Sequence, residues 1–235
     1  YNLTGNQFEN FNTVFQLYSL VKKRPHLLER AKTLLLTPDL FGYFLTGEKK
    51  AEYEPVLTSR GCQKAAEFIS FCDAFNIPVL TLVNVKGYKA DKCSERNIAR
   101  ASAKLTYAYA NATVPKVTVI IGQAYGTAYL TMASKAIGTD IVYAWTNASI
   151  GMMDSKAAVK IMYADEIAGA NDAVSMINEK VAEYENLQSS AVAAAKRGYV
   201  DDIIKAEETR QRVIAAFEML FTKREDRPAK KHGTV

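Results

Sequence analysis

The amino-acid sequence predicts an α/β protein built on a parallel sheet, and three observations carry that expectation. After Pro55, short β-branched runs alternate with helical stretches of about 10 to 15 residues, the pattern of βαβ units. The stretch 117–135, V-T-V-I-I-G-Q-A-Y-G-T-A-Y-L-T-M-A-S-K, passes from a buried strand through a turn of small residues into a helix. Before Glu54 the apolar spacing is helical only. A short helical segment, 1–54, is therefore expected to precede the α/β part, 55–235.

Within 1–54, Phe11, Val14, Phe15, Leu17, Tyr18 and Val21 recur at helical spacing until Arg24-Pro25 ends the run. Residues 26–32 suit a second short helix. Pro38 suits the first turn of a third, 39–45, stopped by Thr46-Gly47. Beyond Pro55, Ser59 is expected to cap a helix over 60–75. Ile77-Pro78 leads into a strand at 79–85, and a polar loop follows at 86–92. Ser94 opens a long helix to about 112, and Pro115 leads into the strand 117–121. The next helix is expected over 126–136, then strands at 141–144 and 149–153. Helices dominate the remainder, at 154–163, 172–185, 190–196 and 207–221, with the segment 199–204 between the last two.

The strand–turn–helix unit carries the chemistry. A helix that opens with Gly126 and Thr127 directly after a strand presents unpaired N–H groups, and the positive end of its dipole, to an anion. Gly126 lets a ligand approach the backbone with no Cβ in the way. This is the design of an oxyanion hole made from main chain.

Composition narrows the class. Hydrophobic residues make up 49% and charged residues 23%, which excludes a disordered chain and fits an ordinary globular one. No apolar run approaches the ~20 residues of a membrane span. The start, Tyr1-Asn2-Leu3, shows no basic and apolar leader and no Met, so the chain reads as the interior of a longer one. Cys62, Cys72 and Cys93 lack metal-type spacing and read as reduced thiols in a cytoplasmic setting; no metal site is expected. His26 and His232 read as surface residues. Of the net charge of +5, the tail 222–235 holds five basic residues against two acidic, a surplus of three. The tail reads as solvated and partly frayed, and without an aromatic or basic stripe it does not indicate nucleic acid.

Residues 56–235 resemble the C-terminal half of the carboxyltransferase subunit of biotin-dependent acyl-CoA carboxylases and decarboxylases, of the propionyl-CoA carboxylase β and methylmalonyl-CoA or glutaconyl-CoA decarboxylase type. The similarity rests on F-C-D-A-F-N-I-P-V at 71–79, N-V-K-G-Y at 84–88, A-K-L-T-Y-A-Y-A-N-A-T-V-P-K at 103–116, A-Y-G-T-A-Y at 124–129, S-K-A-I-G-T-D-I-V-Y-A-W at 134–145, A-A-K-R-G-Y-V-D-D-I-I at 194–204 and T-K-R-E-D-R-P-A-K-K-H-G at 222–233. It implies the crotonase-like (ClpP/crotonase) fold of stacked βαβ units, with oxyanion holes at helix N-termini. Residues 1–54 resemble a stretch of rhamnulokinase-type sugar kinases, through T-G-N-Q-F at 4–8, F-N-T-V-F-Q-L at 11–17, L-L-T-P-D-L-F at 35–41 and Y-F-L-T-G at 43–47. No phosphate loop and no kinase Asp motif accompany it, so it implies a mosaic and no kinase activity.

In the resembled family, CO2 passes between N1-carboxybiotin, borne on a separate carrier protein or domain, and the α-carbon of an acyl-CoA. Backbone N–H pairs stabilise the biotin oxyanion and the thioester enolate, and no catalytic triad or carboxylate dyad is required. The resemblance assigns the biotin-side donors to Thr127 and Ala128. Gly126 gives close approach, Tyr125 and Tyr129 flank the hole, and Gly87 and Tyr88 supply the other wall. The acyl-CoA hole belongs to the family's N-terminal half, absent from this chain, and the full site forms between subunits, so a homo-oligomer is implied. Thr127 stands where many members have Gly, and Lys86 where many have Pro. Leu130 stands where short-chain carboxylases often have Asp, which leans toward the decarboxylases. Asp201 and Asp202 read as turn carboxylates and Trp145 as core. The alternative is a non-catalytic assembly or carrier-docking module.

Overall fold

The computed structural model describes residues 55–170 and 172–226. The chain divides into two units, Tyr1–Lys50 and Ala51–Val235; the readings made for 1–54 and 227–235 lie outside the described residues.

The sheet strands are β2 (Val79–Val85), β4 (Lys116–Tyr125), β5 (Ile141–Trp145), β6 (Ser149–Gly151) and β7 (Asp202–Ile204). They run in the order β2-β4-β5-β7, all parallel, with β6 also pairing β4. A second, two-stranded parallel piece joins β1 (Val56–Leu57) to β3 (Gly87–Tyr88). The helices are α1 (Ser59–Ala74), α2 (Lys92–Asn111), α3 (Gly126–Thr131), α4 (Ser155–Met162), α5 (Ala164–Gly169), α6 (Ala173–Tyr184), α7 (Ala191–Lys196) and α8 (Thr209–Met219).

Strict alternation puts Val79, Thr81, Val83 and Val85 on the buried face of β2. On that face the inner sides of α1 and α2 (Cys62, Ala66, Ile69, Leu105 and Ala108) pack into one core with Val79. Val83, Ile120, Val142 and Ala144 pack with α3 and α7 into another. The opposite face of β4 and β5 (Val117, Val119, Tyr143) is covered by Val213 and Ala216 of α8. Trp145 belongs to this layer and donates its indole N–H to Thr209 Oγ1 at 2.8 Å, consistent with core.

Several boundaries differ from expectation, each through a local hydrogen bond. Thr58, not Ser59, caps α1, its Oγ1 accepting from the Gly61 amide at 3.0 Å. Asp91, not Ser94, caps α2, accepting from the Ser94 amide at 2.7 Å. Ser190 caps α7 through the Ala193 amide, as its sequence position suggests. The expected loop 86–92 contains β3, because the Lys86 and Lys89 amides bond the carbonyls of Pro55 and Leu57. The expected helix 126–136 stops at Thr131, and a 3-10 turn at Lys135–Ile137 follows. The helix expected at 207–221 begins as a 3-10 turn, Ala206–Glu208, before α8. A π-turn, Glu185–Ser189, continues α6.

Strand β4 runs four residues beyond its expected end, and a bulge explains how. Its pairing to β2 jumps from Val83↔Ile120 to Val85↔Ala124, so residues 121–123 stand opposite Asn84 alone. There Asn84 Oδ1 accepts from the Gln123 amide at 3.0 Å. A Cβ on Gly122 would lie 2.7 Å from the same oxygen, so any larger residue there would displace the Asn84 amide that holds the bulge. Past the bulge, β4 leaves β5 and takes β6 as neighbour, through Gln123↔Ser149 and Tyr125↔Gly151.

Candidate functional site

The bend in β4 delivers Tyr125 as the residue before α3. Gly126 then adopts φ +60°, a left-handed conformation that costs an L-residue about 1–2 kcal/mol. An added Cβ there would meet the Met152 carbonyl oxygen at 3.0 Å. Both the turn and the close backbone approach therefore require glycine.

Tyr125 gives α3 no side-chain cap, and the first amides of any helix lack intrahelical acceptors. Thr127 is exposed, while Ala128 is buried at 1% exposure with its methyl in the core. The two residues assigned as donors thus sit at the seam between solvent and core. Among the expected walls, Gly87 and Tyr88 form β3, which packs against α3. Tyr88 is half-buried and leans on the core beneath that helix. The fold so gathers Gly87, Tyr88, Tyr125, Gly126, Thr127, Ala128 and Tyr129 around one turn.

The two flanking tyrosines differ in how their hydroxyls are held. Tyr125 is buried, and its hydroxyl pairs with Ser149 Oγ at 2.8 Å. Burial pushes its pKa up, opposed by the Ser149 bond and reinforced by the negative charge of Asp154 and Glu185. Tyr129 is buried too, and its hydroxyl has no hydrogen-bond partner among the described residues. Burial, followed by the neighbouring Tyr199, pushes its pKa up to about 12. Tyr129 packs in one core with Ile150 of β6 and Ala191 and Ala194 of α7, and Tyr125 is only 4% exposed.

Sequence reasoning missed the supports of this turn. Asn84 holds the bulge, Ser149 holds Tyr125, and the Met152 carbonyl abuts Gly126. Ser189, at the end of the π-turn, has a buried, unpartnered hydroxyl, and an added Cβ on Gly151 would lie 3.5 Å from it. The advance signal was Asn84 itself, a polar residue next to the end of the mostly apolar run 79–85.

Other candidate groups resolve into structure. Asp201 accepts from Lys135 Nζ at 2.7 Å and from the Val142 amide at 2.8 Å, tying the chain before β7 to β5. Asp202 lies 3.6 Å from Arg212 of α8. Cys62 and Cys72 are buried free thiols, and burial pushes the Cys62 pKa up to about 11. That is the opposite of what a reactive thiolate needs. Among the described residues, no group of three or more His, Cys, Asp or Glu is placed to hold a metal ion. No helix among them is long and apolar enough to cross a membrane.

The chain matches the carboxyl transferase domain family over residues 47–235. It is 47% identical over 171 residues to the methylmalonyl-CoA carboxyltransferase 12S subunit of Propionibacterium freudenreichii subsp. shermanii, covering 72% of this chain and 33% of that one. An alignment to the propionyl-CoA carboxylase beta chain of Cereibacter sphaeroides, 36% identical over 241 residues, covers 97% of this chain and 46% of that one. The solved transcarboxylase 12S structure, described as a hexamer with methylmalonyl-coenzyme A and methylmalonic acid bound, superposes with a TM-score of 0.72 at 45% identity; the match covers 76% of this chain and 34% of that one. The chain spans between a third and a half of the length of these curated relatives. The fold is the crotonase-like fold of these carboxyltransferases, as the resemblance implied.

Proposed function

The chain belongs to the carboxyl transferase domain family, and from that premise we propose that it is the biotin-side half of an enzyme moving CO2 between carboxybiotin and an acyl-CoA. Biotin enters as a substrate borne on a separate carrier protein, the acyl-CoA binds a half not contained in this chain, and the assembly is a cytoplasmic homo-oligomer. The observation that carries the reading is the left-handed Gly126 turn, which opens an uncapped helix between β3 and β6. Carboxybiotin brings the CO2 on a ureido nitrogen, and negative charge builds on the ureido oxygen when it leaves.

The residues suit that oxygen. The Thr127 and Ala128 amides donate to it, and they need no reorganisation because the turn fixes them beforehand. The absence of a Cβ on Gly126 keeps the approach open. Tyr88, Tyr125 and Tyr129 exclude water from the inner side of the turn, which strengthens the amide dipoles. Thr127 retains its amide but narrows the approach through its β-branch. The Leu130 side chain, 44% exposed, occupies the position whose change leans toward decarboxylases.

Titration of the purified chain with free biotin, beside Thr127→Pro, tests this. The variant removes one donor and is expected to lose most of the affinity. Equal affinity in both proteins overturns the hole.

A second reading, a non-catalytic assembly or carrier-docking module, is favoured by apolar exposure on the outer face of β2. Leu80 and Leu82 there are 44% and 46% exposed. A stable trimer in solution with no biotin binding supports that reading over the first.

A further inference from the structure

The helix that bears the proposed donors is only six residues long, and its far end is unusual. Ala133, fully buried, holds φ 52°, a left-handed conformation in a residue that is not glycine. Its carbonyl accepts two hydroxyl hydrogen bonds, from Thr118 Oγ1 and from Thr139 Oγ1, each at 2.8 Å. Both threonines are buried, at 0% and 4% exposure. Two more hydroxyls serve the carbonyls just upstream. Thr131 Oγ1 donates to the Ala128 carbonyl at 2.8 Å, and Ser134 Oγ donates to the Leu130 carbonyl at 3.1 Å.

The two threonines come from different places. Thr118 lies on β4, upstream of the bulge and on the face beneath α3, beside Ile120 of the core. Thr139 lies in the approach to β5. The Ala133 carbonyl is thus where β4, the end of α3 and the entry to β5 meet. The chain leaves β4 at Tyr125, makes the Gly126 turn, runs through α3 and is fastened back onto the same strand at Thr118. Both arms of the turn are then fixed to one strand. Strain at Ala133 persists only where its surroundings over-determine the backbone, and two converging donors on one carbonyl provide that.

We infer that Thr118 and Thr139 are positioning residues that, through the Ala133 carbonyl, set the height of α3 and so the direction of the Thr127 and Ala128 amides. The inference rests on the proposed function only for its biotin readout. Both oxygens of the clamp lie outside the turn itself, so neither threonine touches a ligand there.

The test compares the full chain with Thr118→Val/Thr139→Val and with Thr118→Ser/Thr139→Ser. Three quantities are read: the backbone amide NMR resonances of Thr127 and Ala128, the affinity for free biotin, and the urea midpoint. The valine pair keeps shape and removes both donors; the serine pair keeps both donors. The valine variant is expected to shift both amide resonances and to weaken biotin several-fold, and the serine variant to restore both. Wild-type resonances in a folded valine variant overturn the inference, as does a serine variant that loses as much as valine. Should the valine pair not fold, Thr139→Ala alone carries the same reading, because Thr139 lies in neither helix nor strand. If the wild-type chain binds no biotin, the proposed function falls, while the amide resonances still decide the clamp.

Discussion

The ammonium of Lys223 sits 2.9 Å from the Asp140 carboxylate, across 83 residues of sequence. It also donates to the Val114 carbonyl at 3.3 Å, and Asp140 in turn accepts from the Lys116 amide at 2.8 Å. Both side chains are largely buried, at 13% and 18% exposure. The start of the tail is therefore anchored at the entrance to β4 and β5, where a solvated, fraying segment was expected.

Lys223→Met is expected to lower stability by about 2 kcal/mol, because it strands a part-buried carboxylate and loses a charged hydrogen bond. Glu225→Gln changes only the more exposed partner of the same lysine, at 3.2 Å, and should cost well under 1 kcal/mol. Urea midpoints of the two variants check the contrast.

Gly126→Ala forces a left-handed alanine and drives a Cβ to 3.0 Å from the Met152 carbonyl. A loss of about 2 kcal/mol in stability is expected from the conformation and the contact together. Gly87→Ala is the control. No described residue lies within 4 Å of its added Cβ, so its melting temperature should stay near wild type.

Tyr125 and Ser149 form one hydrogen bond, yet the two ends are not equivalent. Ser149→Ala leaves a buried phenol unpaired and should cost about 1–2 kcal/mol. Tyr125→Phe leaves a half-buried serine that water can reach and should cost less. A double-mutant cycle measured by chemical denaturation separates the two.

Tyr129→Phe removes a buried hydroxyl that bonds none of the described residues and should leave stability at neutral pH equal or higher. Its pH dependence has a definite sign. Tyr109 and Tyr129 have folded pKa values raised from 10.0 to about 12, so the folded state holds their protons longer than the unfolded state. That contribution is complete below pH 10 and is lost as pH rises toward 12. Cys62, raised from 9.0 to about 11, adds a loss that starts one unit lower. Thermal melts from pH 8 to 12 should fall above pH 9, and Tyr129→Phe should fall less steeply.

Lys116 shows what burial alone hides from sequence. The residue is 1% exposed, and its ammonium donates to the carbonyls of Tyr109 and Ala112, closing the C-terminal end of α2. Read from the sequence, it is simply the lysine that follows Pro115. Lys116→Met should cost about 2–3 kcal/mol, as two buried carbonyls lose their donor. Circular dichroism during urea unfolding measures it.

The sequence by itself determined the parallel α/β plan and the strand–glycine–helix unit, because β-branched runs and glycine placement are local properties. The β-branched run Val117 to Ile120 is buried as it reads, and Gly126 stands at the turn from strand to helix in both sequence and structure. The motif resemblance in 56–235 likewise led to the family. Only the tertiary structure decided where the strand bends and where the helix stops. Asn84 reaches across from β2 to hold the bulge at 121–123, and Thr118 and Thr139 reach a carbonyl they do not neighbour in sequence. Lys223 is anchored in the same way by Asp140, and Tyr129 is buried by apolar side chains of β6 and α7. Each depends on partners far along the chain, and a hydrogen bond between distant residues leaves no spacing for a sequence to show.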